Sequence, residues 1–123
     1  MTPTALSLAA RLGDALRQRQ QQVATAESCT GGLIAGALTA IPGSSDWFGF
    51  GWVSYANDAK QQMLGVTAST LARHGAVSAD TVGEMAAGAR QHSGADWAIA
   101  VSGIAGPGGG SRDKPVGLVW FGL

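Results

Sequence analysis

This chain has little of what marks several large classes of protein. Its single cysteine, Cys29, has no partner for an internal disulfide, and we expect a reducing, cytoplasmic setting. Only 13% of its residues are charged and the formal net charge is zero, so it lacks the basic surface of a nucleic-acid-binding protein. No apolar run reaches the roughly 18 residues of a membrane span, and residues 1–20 lack the order of a signal peptide. Two separated histidines and scattered carboxylates do not form a metal site, and we expect no metal or cofactor.

What the chain does have is apolar residues and glycine. Its 123 residues, 46% of them hydrophobic, predict a single domain over residues 1–123 with a substantial core. The 19 glycines include the pair Gly31 and Gly32, those in FGFGW, and those in GIAGPGGG at 103–110. Glycine at the junctions of strands and loops favours backbone that approaches a ligand closely.

Strand and helix patterns alternate along the chain. Strands are predicted at 21–28, 46–57, 96–106 and 114–123, and helices at 4–20, 32–41, 58–64 and 80–91. This order predicts an α/β fold, a three-layer α/β/α sandwich with a largely parallel sheet. Because the last predicted strand runs to Leu123 without a covering helix, we expect the fold to be truncated at its C-terminal end, without its last strand and helix. The alternative is that another segment completes the edge of the sheet.

Residues 27–32, ESCTGG, lie where the first predicted strand gives way to a helix. Ligands of open α/β sheets bind beyond the carboxyl ends of the strands, which is where Ser28 falls. The backbone N–H groups at Thr30–Gly32 then face an anion or a developing oxyanion. Two other interpretations stay open here: Ser28 or Thr30 caps the helix, or Cys29 is the nucleophile. We rank Ser28 first as a catalytic nucleophile.

A serine nucleophile needs a base, and the segment YANDAK offers one. A lysine whose pKa is lowered by burial can accept the proton, so Lys60 is the candidate base. Tyr55, at the end of a strand, is placed to relay a proton or to orient Lys60. The alternative is a solvent-facing lysine and a half-buried tyrosine.

The third candidate segment, SGIAGPGGG, follows the most apolar strand. It is neither a P-loop nor a dinucleotide fingerprint, because no Gly-Lys-Ser/Thr follows and the last glycine of the fingerprint is missing. Its successive N–H groups favour an anion-binding nest, and a flexible loop is the alternative. The substrate-binding residues expected here are Ser102, Gly103, Gly106, Gly108 and Gly109.

Taken together, these segments resemble the CinA C-terminal domain family. The resemblance rests on AESCTGGLIAGALTAIPGSSDWFGFGWVSYANDAKQQMLGV, GAVS and AVSGIAGPGGGSRDKPVG, in that order, from about Val23 to the end. It implies an α/β/α domain that hydrolyses the carboxamide of nicotinamide mononucleotide to nicotinate mononucleotide and ammonia. It implies that Ser28 is the nucleophile and that Tyr55 and Lys60 assist it. The family usually has threonine where this chain has Ser102.

The partner expected from this resemblance is a small-molecule nucleotide substrate, and we also expect a homodimer. Two functions of other classes stay open. A nucleotide-binding module without catalysis would tolerate the loss of the Ser28 hydroxyl. A partner-docking module would use exposed aromatic side chains such as Trp47, Phe48 and Trp52, although we favour core or dimer contacts for these three residues.

Overall fold

The structure is a computed structural model that describes residues 1–123 and contains five α-helices and four strands. The helices are α1 (Pro3–Arg19), α2 (Leu33–Thr39), α3 (Asn57–Leu64), α4 (Ala68–His74) and α5 (Ala79–Ser93). The strands are β1 (Val23–Glu27), β2 (Phe48–Val53), β3 (Trp97–Gly103) and β4 (Val119–Gly122). No helix combines the length and the apolar character needed to cross a membrane.

The four strands form one sheet in the order β2-β1-β3-β4. β1 runs parallel to both β2 and β3, whereas β4 pairs with β3 in the antiparallel sense. Glu27, the last residue of β1, lies opposite Val53 of β2 and Val101 of β3. The carboxyl ends of the three parallel strands therefore meet at one edge of the sheet.

Helices cover both faces of the sheet, so the predicted three-layer α/β/α architecture with a largely parallel sheet is confirmed. α1 and α2 pack on one face, over a core made of Ala9, Leu16, Val23, Ala37, Leu38 and Trp47. α3, α4 and α5 lie on the other, over Ala26, Leu64, Val66, Val82, Met85, Ala86, Ala89, Ala98 and Ala100. Small alanines on β1, β3 and α5 let this helix approach the sheet closely.

Two local predictions need correction. Helix α4 was not expected, although Thr67 marks its start by accepting a hydrogen bond from the N–H of Thr70. Trp47, named above as a docking aromatic, is 1% exposed and belongs to the core. Phe48 and Trp52 are half-buried against the two cores, so these three aromatics do not form an exposed docking surface.

Candidate active site

The carboxyl edge of the sheet brings three buried serines into one row. Ser28 follows β1, Ser54 follows β2 and Ser102 lies near the end of β3, and these residues are 7%, 0% and 1% exposed. The Ser28 N–H donates to the carbonyl of Val101 at 3.0 Å, and the Ser54 N–H donates to that of Glu27 at 2.8 Å. These bonds extend the sheet past the strands and hold the Ser28 backbone in place.

Lys60 lies in the first turn of α3 and is almost completely buried, with 1% of its surface exposed. Its Nζ donates to Ser28 Oγ at 2.9 Å and to the carbonyl oxygen of Tyr55, also at 2.9 Å. The Ser28 hydroxyl itself lies 3.4 Å from that same carbonyl, to which it donates. The structure thus brings together two predicted site residues, Ser28 and Lys60, that are 32 positions apart in the chain.

The surroundings of Lys60 favour its neutral form. Burial lowers the pKa of Lys60 from its ordinary value of 10.5, and the nearby Cys29 opposes this by raising it. The ion pairs of the structure are Arg17–Asp46 and His74–Asp80, so no carboxylate compensates the Lys60 charge. A buried amine with a lowered pKa is suited to accept a proton from the neighbouring hydroxyl.

Tyr55 contributes its backbone rather than its side chain to this network. The residue is 66% exposed, and its carbonyl oxygen accepts from Lys60. Its hydroxyl makes no hydrogen bond to Ser28 or Lys60, so the structure does not join the phenol to the pair. The predicted proton relay through Tyr55 stays a prediction.

Cys29, the rival nucleophile, is half-buried beside the start of the glycine-rich loop. A Cβ atom added at Gly103 would lie 3.1 Å from its Sγ. The amine of Lys60 makes its side-chain hydrogen bond to Ser28 and not to Cys29. The base is therefore paired with the serine. No group of three histidine, cysteine, aspartate or glutamate side chains is arranged to hold a metal ion.

Glu27 is a residue of this site that the sequence reasoning missed. It is fully buried, and its Oε1 accepts from the Thr30 hydroxyl at 2.6 Å and from the Ile34 N–H at 2.9 Å. Its Oε2 accepts from the Ala35 N–H at 3.0 Å. The available signal was an acidic residue at the end of an otherwise apolar strand, directly before a helix.

The alternation of strand side chains explains why neighbouring residues take separate roles. Val23 packs in the core under α1 and α2, and Ala26 packs in the core under α5. Side chains two apart on a strand share a face, so Glu27 lies on the α2 face with Val23. Ser28, two positions after Ala26, lies on the opposite face of the sheet, where it accepts a hydrogen bond from Lys60 of α3.

The helix-capping interpretation of Ser28 and Thr30 is wrong. The N-cap of α2 is Gly32, which has a φ of 108° and provides no side-chain cap. The expectation of free N–H groups at this helix is also wrong for Ile34 and Ala35, which Glu27 engages. Within the turn, the Gly31 N–H is used by the Ser28 carbonyl at 3.0 Å.

The N–H groups that remain available lie in the turn itself. Those of Cys29, Thr30 and Gly32 donate no hydrogen bond within the protein. Three unpaired donors therefore flank the Ser28 backbone. An oxyanion that develops next to a nucleophile is stabilised by donors of this kind.

The glycine-rich loop between β3 and β4 is built differently. Gly106 and Gly109 have φ values of 77° and 89°, in the left-handed region that glycine adopts readily. Neither these two residues nor Gly108 donates a backbone hydrogen bond within the protein. Ser102 precedes the loop with its side chain buried, opposite Trp120 of β4. The binding role of these residues stays a prediction.

Comparisons with known proteins agree with this fold. Residues 5–123 match the family model described as the CinA C-terminal domain. The nicotinamide-nucleotide amidohydrolase PncC of Escherichia coli (strain K12) is 56% identical over 116 residues, which are 94% of this chain and 70% of that protein. A CinA-like protein of Akkermansia muciniphila is 56% identical over 121 residues, which are 98% of this chain but only 29% of that longer protein.

A solved structure gives the same result. The competence/damage inducible protein CihA of Agrobacterium tumefaciens superposes with a TM-score of 0.94 at 55% sequence identity. The match covers 97% of this chain and 72% of that one. The similarity in structure thus extends over nearly all of the elements described above.

Proposed function

Because this chain belongs to the CinA C-terminal domain family, we propose that it is an amidohydrolase that cleaves the carboxamide of nicotinamide mononucleotide. The observation that carries the proposal is the 2.9 Å contact between the buried amine of Lys60 and the Ser28 hydroxyl. The name of the Escherichia coli relative, nicotinamide-nucleotide amidohydrolase, supports the class of substrate. The products are nicotinate mononucleotide and ammonia.

The reaction begins with transfer of the Ser28 hydroxyl proton to the neutral amine of Lys60. Ser28 Oγ then forms a bond to the carboxamide carbon, and the carbonyl oxygen becomes an oxyanion. The free N–H groups of Cys29, Thr30 and Gly32 are the available donors to that oxyanion. Each well-placed donor lowers the barrier by about 3–4 kcal/mol.

The second half of the reaction returns the protein to its starting state. The protonated Lys60 gives its proton to the leaving nitrogen, which departs as ammonia when the carbon–nitrogen bond breaks. Lys60 then accepts a proton from a water molecule, whose oxygen attacks the ester of Ser28. The ester bond then breaks, the protonated Lys60 returns its proton to Ser28 Oγ, and the acid product leaves as a carboxylate after losing its proton to solvent.

The rest of the substrate is held by backbone in this proposal. The free N–H groups of Gly106, Gly108 and Gly109 suit the ribose phosphate, since N–H groups around residues in the left-handed conformation, here Gly106 and Gly109, form anion-binding concavities. The exposed side chain of Tyr55 is free to contact the substrate. The homodimer and the cytoplasmic setting expected from the sequence remain predictions.

The deciding experiment measures ammonia release from nicotinamide mononucleotide by the unmodified chain and by Ser28→Ala. We expect kcat to fall at least about 1,000-fold in the variant, because no other hydroxyl is hydrogen-bonded to the amine of Lys60. Ser54→Ala is the matched control. Ser54 is equally buried at the next strand end, but its hydroxyl donates to the Glu27 carbonyl and not to Lys60.

Equal ammonia release by the unmodified chain and Ser28→Ala would overturn the serine mechanism. Absence of release from the folded, unmodified chain, with nucleotide binding retained, would replace the amidohydrolase by a binding module. An equal loss in Ser28→Ala and Ser54→Ala would show that the row of serines acts through folding rather than through chemistry.

A further inference from the structure

We infer that Glu27 is a positioning residue that sets the geometry of the Ser28 turn by tying the turn to the start of α2. This inference rests on the proposed function of Ser28. Glu27 does not touch Lys60, and its carboxylate lies on the other face of the sheet. It acts on the nucleophile through backbone and through Thr30.

The carboxylate of Glu27 accepts three hydrogen bonds from two different elements. One carboxylate oxygen accepts both from the Thr30 hydroxyl, in the turn, and from the Ile34 N–H, in the helix. The other accepts from the Ala35 N–H. A single rigid group thus connects the end of β1, the middle of the turn and the first turn of α2.

The carboxylate of Glu27 engages only some of the N–H groups between β1 and α2. Glu27 engages the helix donors of Ile34 and Ala35 and leaves unpaired those of Cys29, Thr30 and Gly32, which lie next to the nucleophile. A ligand anion consequently meets donors of the turn and not those of the helix. This selection brings the site for negative charge close to Ser28 Oγ.

No side chain other than that of Glu27 caps the start of α2, where the Leu33 N–H also donates to the Thr30 carbonyl at 3.0 Å. Gly32, its N-cap, has no side chain, and the first turn of the helix contains no acidic residue. Gly31 and Gly32 have φ values of 59° and 108°, a conformation that costs glycine little. Because glycine has no side chain, neither residue can hold this conformation by a contact of its own. The fully buried carboxylate of Glu27 provides the restraint these two residues lack.

The test measures the reactivity of Ser28 without the natural substrate. A fluorophosphonate forms a bond from Ser28 Oγ to phosphorus while the phosphorus–fluorine bond breaks, fluoride leaves and the hydroxyl proton passes to Lys60. In Glu27→Gln, the amide NH₂ faces at least one of the three donors, so at least one bond is lost. We expect labelling at Ser28, followed by mass spectrometry, to slow about 10- to 100-fold.

Glu84→Gln is the matched control. The Glu84 carboxylate also accepts from a backbone N–H, that of Thr67, and from the Thr70 hydroxyl at the start of α4, away from Ser28. We expect labelling of Ser28 in Glu84→Gln to stay within about twofold of the unmodified chain. The two variants remove the same kind of contact, and they differ in whether that contact holds the Ser28 turn.

Three further readouts separate positioning from a general loss of structure. In Glu27→Gln we expect kcat for ammonia release to fall while KM changes little. We also expect hydrogen exchange at the Ile34 and Ala35 amides to become faster. The pH at which kcat/KM rises should not move, because burial and Cys29 are the causes of the altered Lys60 pKa. If Glu27→Gln does not fold, Thr30→Val removes only the bond from the turn and should still slow labelling.

Labelling of Ser28 at the same rate in Glu27→Gln, Glu84→Gln and the unmodified chain would overturn the inference while leaving the proposed function intact. No labelling of Ser28 and no ammonia release from the unmodified chain would overturn the proposed function and the inference with it. A shift of the pH profile in Glu27→Gln would also contradict it, because Glu27 would then act on the charge of Lys60.

Discussion

The turn that carries Ser28 and the loop that carries Gly106 are both rich in glycine, yet they are built in opposite ways. The turn is enclosed by buried side chains, with Glu27 bonded to it on one face of the sheet and Lys60 on the other. The loop is largely exposed, and the N–H groups of Gly106, Gly108 and Gly109 are among those left unpaired in it. Glycine therefore allows a fixed geometry in one region and an open backbone surface in the other, and the neighbouring side chains decide which.

This comparison also separates the expected tasks of the two regions. A reacting group needs a fixed position, because a displacement of about 1 Å can lower the rate about 100-fold. A group that binds phosphate needs several N–H donors, and it tolerates more adjustment. The predictions below test this division of labour, beginning with the variant that should have the largest effect.

Lys60→Met should remove the base that the proposed mechanism pairs with Ser28. We expect kcat to fall by about 100- to 10,000-fold, because general acid–base catalysis contributes that amount. Methionine is unbranched like lysine and fills the same buried space without a charge. Ammonia release measured at saturating nicotinamide mononucleotide checks this, and a variant that retains full kcat would exclude Lys60 as the base.

The same variant should change how the stability of the chain depends on pH. Because the pKa of Lys60 is lowered in the folded chain, the unfolded chain binds more protons between that pKa and 10.5. The contribution of Lys60 to stability therefore becomes more favourable as pH rises through this window. We expect Lys60→Met to lose this slope of Tm against pH. An identical slope in the variant would show that the buried amine does not titrate with a lowered pKa.

The unmodified chain should show the matching dependence of activity on pH. Since the proposed mechanism uses the neutral amine, kcat/KM should rise with pH and level off above the lowered pKa of Lys60, which lies below 10.5.

Gly106→Ala should disturb the loop and leave the turn alone. At a φ of 77° the new Cβ would be strained and would overlap the Val116 side chain, with a cost of roughly 1–3 kcal/mol. We expect KM for the nucleotide to rise about 10-fold while the labelling rate of Ser28 stays unchanged. Gly108→Ala, which meets nothing within 4 Å, should raise KM less.

Gly83→Ala, on the exposed face of α5, is the control for exchanging glycine in general. A fall in kcat without a change in KM in Gly106→Ala would mean that the loop takes part in chemistry, and the division between the two regions would be wrong.

Tyr55→Phe should have the smallest effect. The change removes the phenol oxygen but keeps the backbone carbonyl that accepts from Lys60. We expect kcat to decrease less than the roughly 100-fold that marks a group transferring a proton. A larger decrease at unchanged KM would establish the relay through the Tyr55 hydroxyl that the sequence predicts.

Much of the fold follows from local patterns. The strand VATAE is recognised by its apolar character, and α5 begins after Ser78, which accepts from the Thr81 N–H. Helix α4 was missed because its seven residues have no buried side chain, and a helix without an apolar face gives no periodic signal. The sequence also points to Ser28 and Lys60 by their types and by the strand ends on which they lie.

The sequence by itself determined the four strands, the helices other than α4, their order, and the residue types at the ends of the strands. Only the tertiary structure decided that Lys60 donates a hydrogen bond to the Ser28 hydroxyl and another to the backbone carbonyl of Tyr55. It also decided that Glu27 binds α2. The physical reason is that contact and burial depend on elements far apart in the chain. A lowered lysine pKa exists only once α3 has packed on the end of β1 and water has been removed.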